Sequence, residues 1–153
     1  MKTKSGIQFE IVVYEDRFFE DVKTLWREAP LDQRDWRAPE FVIPAKTAIQ
    51  PELFLVAMNG DRVIGTTMAG YDGHRGWLYT VAVLQSWRRE GVGSALLREA
   101  EGRMLALGCP KINVQIVSTN AAVRAFYKRL GYAAEERVSM SKLIGVFAKE
   151  SSS

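Results

Sequence analysis

Arg88, Arg89, Glu90, Gly91, Val92, Gly93 and Ser94 form the densest chemical motif in the sequence. They follow an apolar run that reads as a strand and open a stretch of helical period. A helix start presents unpaired N–H groups and a partial positive charge, so it attracts anions. Glycine lets the backbone approach a phosphate with no Cβ in between. Two guanidinium groups can add charge-assisted hydrogen bonds. The chemistry predicted is the holding of a phosphate or pyrophosphate. The same residues also fit a plain strand-to-helix turn with two conformational glycines, and the G-x-G spacing alone does not separate the two. A Rossmann fingerprint is excluded, because Leu96 stands where a third small residue is needed. A Walker A loop is excluded, because Gly-Lys-Ser/Thr occurs nowhere.

Asp72 and His74 lie in a loop ahead of the strand that leads into this turn. His74 is the single histidine, and an imidazole suits base catalysis near neutrality; an ordinary surface histidine is the other reading. Cys109 sits between a helix end and Pro110 with no basic neighbour, and reads as a small buried residue. A lone cysteine cannot form an internal bridge, which fits a reducing compartment. No His/Cys/Asp/Glu group has metal-ligand spacing, so no metal is expected.

The elements that must position these residues follow from periodicity. Residues 7–13 alternate as a strand. Asp16 can cap a helix with Phe19, Val22, Leu25 and Trp26 on its apolar face. A weaker helix over residues 38–49 is broken near Pro44. Residues 53–57 form an apolar strand, Asn59, Gly60 and Asp61 a hairpin turn, and residues 63–69 the return strand. After a loop over residues 71–76, residues 77–83 read as a strand buried on both faces. Val92, Leu96, Ala100, Met104 and Leu107 share one helical face that ends at Gly108, and Pro110 forbids continuation. Ile112, Val114 and Ile116 alternate as a strand. Asn120 can cap a short helix with Ala122, Ala125, Phe126 and Leu130 inward and Gly131 closing it. Residues 132–147 suggest one or two final strands. This order predicts an α+β mixed sheet rather than a doubly wound one.

The chain has 153 residues, of which 47% are hydrophobic and 25% charged. That fits one domain, residues 1–150, with a disordered tail at 151–153. A net charge of +3 permits an anionic ligand but is too small and dispersed to argue for nucleic acid. Neither a signal-like segment nor a run of roughly 18 apolar residues occurs, which predicts a cytoplasmic protein without a membrane partner.

Val81, Ala82 and Val83, then Arg88, Gly91 and Gly93, then Ala95, Leu96 and Leu97 resemble motif A of the GNAT N-acetyltransferases. Asn120, Ala121, Ala122, Ala125, Phe126, Tyr127, Leu130, Gly131 and Tyr132 resemble motif B of the same family. The resemblance runs from about Phe9 to about Ile144. Residues 70–76 and 108–112 are similar to the bacterial YpeA-like branch. It implies a GNAT-like fold: a central, mostly antiparallel twisted sheet of about six to seven strands with about four helices, splayed at the cofactor strands. It further implies acetyl-CoA as co-substrate and a primary amine as acceptor, with direct attack in a ternary complex.

Carried onto this chain, Arg88, Arg89, Gly91, Val92, Gly93 and Ser94 would hold pyrophosphate. Val81 and Val83 would offer backbone groups to pantetheine and thioester, and Asn120 and Phe126 would border the CoA arm. Tyr127 would be the leaving-group acid, since a phenol with pKa about 10 can donate to a forming thiolate; a tyrosine packed in the core is the other reading. Glu90 departs from the family pattern and is expected to point to solvent. Gln115 stands where some relatives have a glutamate base, which leaves Asp72, His74 or a water chain. Trp26, Asp32, Asp35 and Trp36 fall where the family builds its acceptor wall. A non-catalytic acyl-CoA sensor is the alternative function, and a nucleic-acid-directed enzyme is disfavoured by the charge. A homodimer is compatible with either.

Overall fold

The computed structural model describes residues 1–29 and 31–152. Five strands form one sheet in sequential order: β1 (Glu10–Val13), β2 (Phe54–Asn59), β3 (Arg62–Tyr71), β4 (Gly76–Val83) and β5 (Ile112–Val114). The first four pair antiparallel, and β5 runs parallel to β4. Four helices accompany them: α1 (Phe19–Glu28), α2 (Pro39–Ala48), α3 (Val92–Ala106) and α4 (Ala121–Arg129). The fold class is the expected α+β one, with a smaller sheet than the resemblance implies.

The sheet is covered on both faces. On one, the buried Trp26 of α1 donates its indole N–H to Thr66 Oγ1 at 2.9 Å. On the other, the next residue along β3, Gly65, has no side chain because Leu96 and Val92 of α3 press in. A Cβ there would stand 3.1 Å from Leu96 Cδ1 and 3.3 Å from Val92 Cγ1. Alternation along β3 explains how neighbouring residues serve opposite layers. Leu53, Phe54, Leu55, Val56 and Ala57 are fully buried, so β2 reads as a continuous apolar run because it lies inside.

Several local expectations are corrected. A 3₁₀ turn, Asp16–Phe18, precedes α1, and no side chain caps that helix. Pro44 sits inside α2 rather than ending it. β4 is not buried on both faces: Tyr79 is 63% exposed. Among the described residues no strand follows α4. Val138 and Met140 stand in solvent, and residues 135–139 are tied to β5 and its flanks by side chains, Lys111 and Asn113 to Glu135 and Gln115 to Ser139. The 3₁₀ segment Gly145–Ser152 includes two of the three tail serines, and Ser153 lies outside the described residues. No helix among the described residues is long and apolar enough to cross a membrane.

Candidate active site

β4 and β5 pair only from Gly76 to Leu78, opposite Ile112 to Val114. Beyond Leu78, β4 has β3 on one side and no strand on the other. The direction of its backbone groups follows from one bond. Leu84 N donates to Ile64 O at 2.9 Å, so Leu84 faces β3. Backbone groups alternate in an antiparallel ladder, so those of Val83 and Val81 point to the open edge. Arg88 corroborates this, because its Nε donates to Val83 O at 3.1 Å. A bulge helps create the opening. Met68 pairs with Thr80 and Ala69 with Leu78, which leaves Tyr79 as the extra residue.

The open edge leads into the glycine turn. Gly91 has φ of 90°, a left-handed conformation that a side chain would strain, and it forms the N-cap of α3. Ala95 N bonds to Gly91 O at 3.0 Å, and no side chain caps this helix end. The amides of Val92, Gly93 and Ser94 therefore belong to a first turn without intrahelical acceptors. Arg89, at φ 64°, also adopts the left-handed region. These observations fit a diphosphate: free amides and glycine clearance occur at a turn that also carries two exposed arginines.

Glu90 does not simply face solvent. Its Oε2 accepts from Ser5 N and Ser5 Oγ, both at 2.9 Å, and its own carbonyl accepts from Lys4 N at 3.0 Å. The bonds from Ser5 hold its carboxyl below the usual range. The carboxylate that would repel a phosphate is thus fastened to the N-terminal turn. No local sequence signal links Ser5 to Glu90.

α4 closes the other side of the opening. Asn120 accepts from Val123 N at 3.1 Å and so caps α4. A Cβ on Gly93 would lie 3.5 Å from Phe126 Cζ and 3.7 Å from Val83 Cγ2, so α4, the turn and the end of β4 meet there. Tyr127 follows, 6% exposed, packed edge-on between Phe126 at 5.2 Å and Tyr132 at 5.4 Å. Burial pushes its phenol up to about 12. It stays protonated at neutral pH, as a donor must.

The expected bases lie elsewhere. Asp72 and His74 occupy the β3–β4 hairpin tip, at the Gly76 end of β4. At a strand's rise per residue this is roughly 15–20 Å from Val81. Asp72 Oδ1 accepts from the amides of His74 and Arg75, both at 2.8 Å, and those bonds lower its pKa. It shapes its own turn rather than awaiting a proton. Gln115, just past β5, donates to Ser139 Oγ at 2.6 Å. Asp32 is held by Arg34 at 3.1 Å and Arg37 at 2.8 Å, which keep its carboxyl near 2. It does not present a free acidic wall. Trp26 is core, and Trp36 is partly exposed beneath the Arg37 guanidinium, 4.5 Å from the ring. A cavity of about 510 Å³, lined by Cys109, Lys111, Tyr132 and Glu135 among others, lies at the far end of α3 from the turn. Among the described residues no cluster could hold a metal ion.

An open strand edge running into an uncapped glycine turn, with Phe126 of α4 against Gly93, defines a class of protein. Residues 14–132 match the Acetyltransferase (GNAT) family, and the chain belongs to it. Solved structures agree on the fold. The PaiA N-acetyltransferase from Thermoplasma acidophilum in complex with coenzyme A is 19% identical, with a TM-score of 0.75 over 86% of this chain and 93% of that one. AAC(6')-Iy in complex with a CoA-containing bisubstrate analogue is 18% identical, with a TM-score of 0.74 over 90% and 99%. The NatC complex bound to Gag peptide and CoA contains a chain 22% identical, with a TM-score of 0.73 over 85% and 87%.

Proposed function

We propose that this chain is an acetyl-CoA-dependent N-acetyltransferase, acting on a primary amine by direct attack in a ternary complex. One observation carries the reading: the outward backbone groups of Val81 and Val83 are continuous with the uncapped first turn of α3. Acetyl-CoA supplies the activated acyl carbon. Arg88, Arg89 and the amides of residues 91–94 hold its pyrophosphate. The edge of β4 orients the pantetheine arm, bordered by Phe126 and Asn120, and donates to the carbonyl oxygen as negative charge develops there. The amine nitrogen bonds to the acyl carbon, the C–S bond breaks, and the Tyr127 hydroxyl donates to the departing sulfur. The amine's surplus proton leaves through water, since Asp72 and His74 are remote. We place the enzyme in the cytoplasm, in a bacterial YpeA-like branch, without nucleic-acid, membrane or metal partners.

Titrating the protein with acetyl-CoA by calorimetry, beside Gly91→Glu, tests the turn. Saturable one-site binding, lost in the variant, is expected. No binding by the wild type would remove the reading. Tyr127→Phe tests the chemistry: turnover should fall about 100-fold, within the range for a proton donor, with acetyl-CoA affinity unchanged. A non-catalytic acyl-CoA sensor is the second reading, favoured by the remoteness of Asp72 and His74 and by Gln115. It predicts binding without CoA-thiol release for any amine, and indifference to Tyr127→Phe.

A further inference from the structure

On the sheet face opposite α3, the missing side chain of Gly70 leaves a small hollow of about methyl size. β3 alternation puts Gly70 on the same face as Thr66, which bonds Trp26 of α1. Gly70 lacks a Cβ, and three groups converge on the space. A Cβ there would lie 3.4 Å from Tyr79 Cε2, 3.6 Å from Gln50 Oε1 and 3.8 Å from Lys46 Nζ.

Two of the three walls are held by hydrogen bonds. The Gln50 amide pairs with the backbone of Tyr71: its Nε2 donates to Tyr71 O at 2.7 Å, and its Oε1 accepts from Tyr71 N at 2.9 Å. Tyr79 is the bulge residue of β4, and its ring remains largely in solvent although it rises from a central strand. Lys46 is half-buried and donates to Ile49 O at 3.2 Å. It has no ion-pair partner among the described residues. Glu52 is close enough to be felt but does not pair, and burial still lowers the lysine's pKa. Asp72 is felt at Tyr79 rather than paired with Lys46. A partly desolvated ammonium with no counter-ion among the described side chains, beside an exposed aromatic ring, is a site suited to an anion.

The hollow lies along β4 from the proposed acyl site. Gly70 pairs with Trp77, and Val81 is four residues further on, so Lys46 stands roughly 10–13 Å from the open backbone of Val81. We propose that this hollow is the distal part of the acceptor site, and that Lys46 selects small acceptors carrying a carboxylate about 10 Å from the reacting amine. Short peptides and long ω-amino acids have that span. Tyr79 covers the chain between the two ends. This deepens the transferase reading and rests on it.

The test compares triglycine with triglycinamide, which differ in one carboxylate, by CoA-thiol release. The wild type should prefer triglycine by at least about tenfold in kcat/KM, the scale of one hydrogen bond to a charged group. Lys46→Gln should remove the preference by lowering only the triglycine rate, with the acetyl-CoA KM unchanged, and Lys46→Arg should retain part of it. Gly70→Ala, whose new methyl meets only ordinary contacts, should raise the triglycine KM alone. Equal use of both peptides by the wild type, or equal losses in Lys46→Gln, would overturn the proposal. If neither peptide is acetylated, both are titrated by calorimetry into protein with CoA present. Triglycine-selective binding lost in Lys46→Gln sustains the hollow while the transferase reading fails, and non-selective or absent binding sinks the hollow itself.

Discussion

Glu90 carries the wrong charge for a residue in the middle of the proposed phosphate turn, and Ser5 is what would make it tolerable. Two bonds at 2.9 Å fasten the carboxylate to Ser5 of the N-terminal turn. Ser5→Ala removes the hydroxyl bond and loosens it, so acetyl-CoA affinity should fall severalfold, more at low salt than at high. Adding Glu90→Ala should restore affinity, because the repelling charge is gone. Calorimetry on the two single variants and the double variant reads the coupling. The sequence reveals the charge conflict but not its solution, since Ser5 and Glu90 are brought together only by the tertiary fold. The turn that carries Arg88, Gly91 and Gly93 and the helix that carries Tyr127 are legible because strand, turn and helix are local and their spacing fixes direction. Asp72 and His74 mislead for the opposite reason. Which end of β4 their loop occupies relative to the proposed acyl site depends on the whole sheet. The Asp72 turn itself was readable, since aspartate commonly accepts from amides two and three residues on.

At the level of elements, the hairpin at residues 59–61, the start of α3 and the cap of α4 follow from turn and capping chemistry, and the structure has them there. The chain after α4 does not follow from local signals. Val138 and Met140 alternate as a strand would, yet they lie in solvent and pair with no ladder. Period two is satisfied equally by an extended segment held through side chains. The β4–β5 pairing that sets the opening depends on close approach at Gly76. A Cβ there would stand 2.8 Å from Cys109 Sγ and 2.9 Å from Met104 Sδ, both in the core. Gly76→Val should therefore cost about 2 kcal/mol of stability, the usual scale of overpacking. Urea unfolding checks this, and Gly102→Ala, where nothing lies within 4 Å, serves as the tolerant control.

For the whole molecule, alkaline pH is the sensitive direction. Burial raises Tyr14 and Tyr127 to about 12. It also raises Tyr132, whose hydroxyl donates to Glu101 at 2.8 Å. An unfolded tyrosine loses its proton near pH 10. Above that the unfolded chain binds fewer protons than the folded one, so stability falls as pH rises. The Tm should hold up to about pH 10 and drop between about pH 10 and 12, with Tyr127→Phe dropping less steeply; an equally steep decline in that variant would mean the phenol is not protected. One further property of the molecule follows from the edge of β4. An unpaired strand edge is a template on which another chain can add, and a protein that must keep one open for its ligand runs the risk of polymerising. Here the exposed stretch is short, it is interrupted by a bulge at Tyr79, and the Arg88 guanidinium occupies the Val83 carbonyl. The chain stoppers its own strand edge with a positive charge, so that a second copy meets electrostatic repulsion where it would otherwise find a partner.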